Sequence, residues 1–583
     1  MTNPASLLYQ DPATLPAEDV MKRAKRFVKN PERLALGRPL KVALLSSFLT
    51  DYLADTLVFM LARRGFAARL WRAPYGAIAT AVLDQGGPLE DFAPDMVLLL
   101  PSHRDLIHVP PPGGDAADAA RAEAAAWTML WDRLAVPVVQ LSFDPPGQRP
   151  LGELDGSVPG GLLDHVRRTN RLLASQAPQQ VALVDAEWLA ARVGLERWHD
   201  HRLYTMCKQP FSFDVVPVLA AALAAAAAGL LGLGRKCLVL DLDNTLWGGE
   251  IGDLGLAGIT LGTETAEGEA FVTFQRYVKA LAQRGVVLAV CSKNLDAIAR
   301  TPFESHGGMV LKLDDIACFM ANFDDKAGNI RAIARTLNLG LESLVFCDDN
   351  PVERAWVREQ LPEVLVVEMP DEPASYVRAL DDCAAFPLHR LTEEDLGRAK
   401  SYQARARVAE RLEAGADMDS FLASLNPRMT VEPVGAGSLD RIVQILAKTN
   451  QFKLNPTLFS AEEISARSVD VLALRFSDRL QDYGIVAVAV THVDGDCLHI
   501  DNWVMSCRVF SRRLEFQTRL LLAQMAGARG CVGLSLDYMP SPKNSLIADL
   551  LPQLGFAPAG SRWVAPITAP QSMPISHILI SEA

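Results

Sequence analysis

Cysteine is scarce and poorly placed for cross-linking. The chain of 583 residues holds 9, an odd number, with none before Cys207 and no C-x-x-C pair. That excludes a disulfide framework and a zinc ribbon, and it fits a reducing compartment. Positive charge is also short: 57 Lys and Arg against 69 Asp and Glu leave a net charge of −12. A general nucleic-acid binder needs a basic face to displace phosphate counterions, so nucleic acid is not an expected partner. The first residues, MTNPASLLYQDPATLPAED, lack a basic stretch leading into an apolar one. No signal peptide is expected, and the expected location is cytoplasmic. Long apolar runs are missing except at 215–234, VVPVLAAALAAAAAGLLGLG. Its alanines drive membrane insertion weakly, so it reads as a helix packed on a neighbouring sheet, with no membrane partner. Solenoid repeats are absent.

What is present is ordinary globular sequence, 49% apolar and 22% charged, long enough for three or four domains at about 150 residues each. Short apolar runs alternate with amphipathic stretches, the pattern of α/β sheets. KVALLS, FAARLW, MVLLLP and VPVVQLSF read as strands of a first unit. KCLVLDLD, VVLAVCSKN, SLVFCDDN and VLVVEMP read as strands of a second. MTVEPVG, VLALRFSDR, a long run from GIVAVAV to NWVMS, and VGLSLDYM read as strands of a third. The expected division is a helical segment over 1–37, α/β units over 38–214, 215–370 and 426–583, and a helical connector over 371–425.

The chemistry concentrates at strand ends in the second unit. Asp241 and Asp243 follow CLVL, and two carboxylates two residues apart there lie near one point. Ser292 and Lys293 follow VVLAVC, Lys326 opens a helix, and Asp348 and Asp349 follow LVFC. Catalytic groups collect at the carboxyl ends of parallel strands. A lone DxD is often an exposed turn, but four pieces in order, three of them at strand ends, suit phosphoryl transfer. One carboxylate attacks phosphorus while another handles the proton. A hard cation such as Mg²⁺ fits the oxygen ligands and offsets the charge.

This layout resembles the haloacid dehalogenase (HAD) superfamily. The resemblance implies Asp241 as nucleophile, Asp243 as general acid/base, Ser292 and Lys326 on the phosphoryl group, and a Mg²⁺ site of the Asp241 carboxylate, the Asp243 backbone carbonyl and the acidic pair Asp348 and Asp349. Which of Asp348 and Asp349 ligates directly, and what Lys293 does, stay open. Asn244, Thr245 and Asn294 would line the substrate pocket. DLDNTLWGGEIGDLGLAGITLG, CSKN, VFCDDNPVERAWVREQLPEV, TNQFKLNPT and NWVMSCRVFSRRLE extend the likeness to FkbH-type HAD proteins over roughly 38–580.

The implied architecture is a central HAD-like Rossmannoid parallel sheet between an N-terminal SGNH-like and a C-terminal GNAT-like α/β domain. The implied activity takes a three-carbon unit from 1,3-bisphosphoglycerate and removes phosphate. A glyceryl group is then loaded onto the phosphopantetheine of an acyl carrier protein for polyketide synthesis. A small-molecule phosphatase and a non-catalytic assembly protein are the alternatives. Acyl transfer needs a thiol, and Cys507 is the candidate, with Cys291 and Cys347 as rivals. Arg508, Arg512 and Arg513 would lower its pKa or bind phosphate. Lys448, Asn450, Gln451, Lys543 and Asn544 would line the third unit's site, beside Asp482, Tyr483 and Gly484. In the first unit Ser46 or Ser47 marks where an SGNH hydrolase carries its nucleophile, and Asp200 and His201 where its partner is sought.

Overall fold

The computed structural model of the chain describes residues 15–30 and 37–391, Tyr402, Ala423 and, apart from short gaps, 425–582. It forms two compact units. The first comprises residues up to 235 with 367–370 and 375–390, and the second comprises 236–366, 371–374 and 391–583.

In the first unit β1 (Arg38–Ser46), β2 (Phe66–Arg72), β3 (Met96–Leu100), β4 (Val138–Leu141) and β5 (Val181–Val184) form a parallel sheet in the order β2-β1-β3-β4-β5. The central strands are apolar on both faces because helices cover both. Val42 and Leu44 enter one buried cluster, while Ala43 and Leu45 enter the other. Period-2 alternation of the strand produces that split.

The Ala-rich run becomes the helix Val215–Leu230, with Val216, Leu219, Leu223 and Ala224 buried in the first cluster beside Leu57 and Phe59. This corrects the expected boundary at 214. The alanines let this helix lie close against the first unit, so that unit extends to Arg235. The helix Ala17–Val28 is likewise no separate segment, since Val20, Ala24 and Phe27 are buried in the same cluster. The supposed connector begins with the helix Tyr376–Asp382, also in the first unit. Most of 392–424 lies outside the described residues. No helix among the described residues is long and apolar enough to cross a membrane.

The second unit opens with β6 (Cys237–Leu240), β7 (Val287–Ser292), β8 (Ile316–Ala321), β9 (Leu344–Cys347) and β10 (Leu365–Val366). They form a parallel sheet in the order β10-β9-β6-β7-β8. β6, which ends at the first acid, lies between β7 and β9. The carboxyl ends of β6, β7 and β9 are therefore neighbours.

The same unit carries a further, mainly antiparallel sheet. It contains β11 (Arg428–Glu432), β12 (Phe452–Lys453), β13 (Val471–Ser477), β14 (Asp482–Asp494), β15 (Cys497–Met505), β16 (Gly533–Leu536), β17 (Ala557–Ala559), β18 (Arg562–Pro566) and β19 (Leu579–Glu582). The order is β17-β18-β16-β15-β14-β13-β11-β19, with β12 against β15. The long apolar run is a hairpin, β14 paired antiparallel to β15, turned at Gly495 with φ +59°.

Leu223→Ala should cost the first unit about 2–5 kcal/mol, the usual range for a fully buried leucine. Urea unfolding followed by tryptophan fluorescence reads this. A loss below about 1 kcal/mol would contradict the placement of the helix in that core.

Candidate active site

β6 and β9 are paired in parallel, and the Asp241 N–H donates to the Cys347 carbonyl at 3.0 Å. That register puts Asp241 beside Asp348 and Asp349. One carboxylate oxygen of each lies within 4.8 Å of the others. Lys326, the first residue of the helix Lys326–Leu337, is placed by its neighbour Asp325, which caps that helix through the Gly328 N–H at 2.7 Å. The Lys326 Nζ reaches Asp348 Oδ2 at 2.6 Å and Asp241 Oδ2 at 3.0 Å. Asp241, Lys326 and Asp348 are all buried.

One ammonium thus faces three carboxylates. Burial works against the Lys326 charge, but Asp241 and Asp348 outweigh it and hold the pKa above its ordinary value. Burial and the neighbouring Asp241 push Asp348 up to about 7. Burial also raises Asp349. The Asp241 Oδ1 atom is buried with no hydrogen-bond partner. A buried, unpartnered carboxylate oxygen is costly. With Asp348 and Asp349 close by, it supplies the hard oxygen donors a divalent cation such as Mg²⁺ takes. The residues present therefore fit such an ion.

Asp243 does not join this cluster through its carboxyl. After Asp241 the chain turns, with Asn244 at φ +55°, and the alternation that would keep the two side chains together ends. The Asp243 carboxylate accepts from Trp247 Nε1 at 2.8 Å, the Ile251 N–H at 3.1 Å and Asn294 Nδ2 at 2.9 Å. Burial, joined by the Asp241 charge, raises its pKa. Asn294 is thus fixed to Asp243. The Asn244 Oδ1 accepts from the Gly249 N–H at 2.8 Å. Thr245 donates to Asp349 Oδ1 at 3.2 Å and accepts from its N–H at 3.1 Å. Ser292 ends β7 and is buried. Lys293, left open by the sequence, pairs with Glu353 at 2.6 Å. The sequence reading missed Arg354, which donates to the Asp348 and Asp349 carbonyls at 2.8 and 2.6 Å and so fixes the acidic loop. Its signal was its position, one turn into the helix after the two acids.

Other expected residues fare differently. Cys291 and Cys347 are fully buried. Burial pushes the Cys291 thiol far up, which disfavours the thiolate. Cys507, Arg508, Asn450, Gln451 and Lys543 lie outside the described residues, as does the Lys448 side chain. Asn544 clamps a loop. Its Nδ2 donates to the Lys453 and Met539 carbonyls, both at 2.9 Å, and its Oδ1 accepts from the Ser541 N–H at 2.6 Å. Arg512 is no surface patch either, being buried and ion-paired with Asp478 at 2.6 Å. In the first unit the Ser46 hydroxyl donates to the Leu100 carbonyl at 3.4 Å, Asp200 caps the helix His201–Cys207, and His201 is exposed. No Ser–His–Asp arrangement forms from them.

A family model described as the FkbH N-terminal domain matches residues 41–225. No curated protein matches the chain. Among solved structures, the N-terminal part of a Bacteroides fragilis protein, containing a phosphatase domain and complexed with Mg, is 32% identical. The match covers 64% of this chain and 100% of that one, with a TM-score of 0.59. The ribosomal-protein-S18-alanine N-acetyltransferase of Escherichia coli is 17% identical over 25% of this chain and 99% of that one, with a TM-score of 0.20. A GNAT-family acetyltransferase of Staphylococcus aureus is 9% identical over 24% and 99%, also at 0.20. Scores of that size do not establish a shared fold.

The raised pKa of Asp348 gives a signed expectation. A carboxyl whose folded pKa lies above its unfolded value contributes stability at low pH, and that contribution is lost as pH rises through about 7. In metal-free protein the site is therefore most strained at pH 8. Saturating Mg²⁺ should raise the Tm more at pH 8 than at pH 5.5, where the proton competes. Asp348→Asn should reduce that difference, leaving the part due to Asp349. Equal shifts at both pH values, measured by scanning calorimetry, would contradict it.

Proposed function

The chain belongs to the FkbH-type family of HAD-like phosphatases, and from that premise we propose that it couples dephosphorylation to loading of a carrier protein. The observation that carries the catalytic part is the unpartnered Asp241 Oδ1 atom, buried beside Asp348, Asp349 and the Lys326 ammonium.

Asp241 is the nucleophile. Its carboxylate attacks phosphorus, the bond from phosphorus to the leaving oxygen breaks, and an aspartyl phosphate forms. Asp243 is the acid. Its raised pKa favours the protonated form that gives the leaving oxygen its proton. The resulting carboxylate then takes a proton from the water that releases phosphate. The bonds from Trp247, Ile251 and Asn294 hold that carboxyl in place. Lys326 and Ser292 bind the phosphoryl oxygens. Asp241, Asp348 and Asp349 would hold a Mg²⁺ ion, which would offset the charge between the carboxylates and an anionic substrate. Arg354 and Thr245 keep the acidic loop in position.

The finer reading concerns substrate and acceptor. The substrate is 1,3-bisphosphoglycerate or a related phosphorylated acid, and the acceptor is the phosphopantetheine thiol of an acyl carrier protein. Cys507 is the relay thiol: its sulfur attacks the C1 carbonyl, the C1 phosphate leaves, and the resulting thioester passes to the carrier thiol, while Asp241 removes the C3 phosphate. The third region is the GNAT-like acyl-transfer domain. The motifs TNQFKLNPT and NWVMSCRVFSRRLE support this, as does burial of the rival thiols Cys291 and Cys347.

Incubation with labelled 1,3-bisphosphoglycerate, Mg²⁺ and a holo carrier protein tests the reading by intact mass. Glyceryl-carrier should accumulate. Asp241→Asn should lower release of the C3 phosphate by on the order of 10³-fold or more, as loss of a nucleophile does, leaving a carrier product that keeps that phosphate. Cys507→Ala should abolish carrier loading while leaving release of the C3 phosphate within about twofold. Phosphate release with no carrier product would reduce the activity to a small-molecule phosphatase. Product unchanged in Asp241→Asn would overturn the catalytic assignment.

A further inference from the structure

The first unit holds a second cluster of ligand-type side chains that the phosphatase chemistry does not use. His103 follows β3, Asp144 follows β4, and His199 follows the short helix Leu195–Trp198. The first two therefore stand at the carboxyl edge of the parallel sheet, where open α/β folds gather their functional groups. One ligand atom from each of the three lies within 4.8 Å of the others. Their side chains are 7%, 1% and 4% exposed.

The hydrogen bonds assign the protons. His199 Nε2 lies 2.9 Å from the Pro145 carbonyl, which has no hydrogen to give, so Nε2 is the N–H donor. Its Nδ1 is then a bare lone pair. That atom is buried with no hydrogen-bond partner and lies 3.9 Å from Asp144 Oδ2. A lone pair facing a carboxylate oxygen in a buried site is unfavourable unless a proton or a cation lies between them. A cation placed between them would satisfy both atoms at once.

The surroundings fix all three side chains. Asp144 accepts from the His103 N–H at 2.8 Å and His103 Nδ1 at 3.0 Å through Oδ1, and from Trp198 Nε1 at 3.1 Å through Oδ2. The bond from His199 Nε2 to a backbone carbonyl is the outer contact that fixes a ligating imidazole's tautomer. Trp198, Phe143 and Phe211 are buried close by and lower the local dielectric.

We propose that His103 Nδ1, Asp144 and His199 Nδ1 bind one borderline divalent ion of the Zn²⁺ class, separate from the Mg²⁺ site. Two imidazoles and one carboxylate suit such an ion, whereas Mg²⁺ prefers oxygen alone. On binding, the His103 proton moves from Nδ1 to Nε2, so no proton need be lost. Three protein ligands leave a fourth position for water, as in zinc sites that do chemistry.

The test uses the full chain without an affinity tag, stripped with chelator and kept in saturating Mg²⁺. Calorimetry should find one Zn²⁺ bound per chain, unchanged in Asp241→Asn. His199→Gln and His103→Gln should each weaken binding by more than about 100-fold, since outer-shell losses alone cost 10–100-fold. Co²⁺ as a spectroscopic stand-in should give visible d–d absorption. In the wild type it should also give two hyperfine-shifted exchangeable imidazole N–H signals, a readout that needs no variant to fold. Absence of Zn²⁺ binding by wild type with native near-UV circular dichroism would overturn the proposal. So would binding unchanged in both histidine variants, or Co²⁺ bound without imidazole signals.

Discussion

One buried ammonium shared among carboxylates is the constraint on which the active site rests. Lys326 bonds to both Asp241 and Asp348, and Asp349 stands within reach of both acids. Without the ammonium, the acids delivered by β6 and β9 would repel one another in a site that water cannot screen well. With it, one negative charge is offset and the rest await a cation. The order of the parallel sheet follows the same logic. β6 lies between β7 and β9, so the serine, the nucleophile and the acidic pair come from adjacent strand ends.

The supporting residues divide the work by chemistry. Arg354 satisfies the carbonyls of the acidic loop, and Thr245 satisfies both the Asp349 N–H and its carboxylate. Asp243 sits apart from the carboxylate cluster, under Trp247 and Asn294, and burial raises its pKa. Two aspartates two residues apart thus meet different environments, one beside Lys326 and the other under Trp247 and Asn294.

Much of the site was legible because strand ends and acids coincide in the sequence. Asp241, Ser292, Lys326 and Asp348 follow apolar runs or open a helix, and the structure brings them to one edge. The position of Asp243 was not legible, because it depends on a turn at Asn244 that ends the strand's alternation. β8 escaped because IACFMA carries a single β-branched residue. The Ala-rich helix was read as packed, but its allegiance to the first unit is a tertiary fact that composition does not encode. His103, Asp144 and His199 are far apart in sequence and share no motif, so only the fold brings them together.

The central claim is that Asp241 carries the phosphoryl group. The direct measurement is acid quench of the enzyme during turnover, borohydride reduction of any acyl phosphate, and peptide mass spectrometry. The account predicts homoserine at position 241 in the wild type and none in Asp241→Asn. Steady phosphate release with position 241 unmodified, or the modification at another acid, would contradict it.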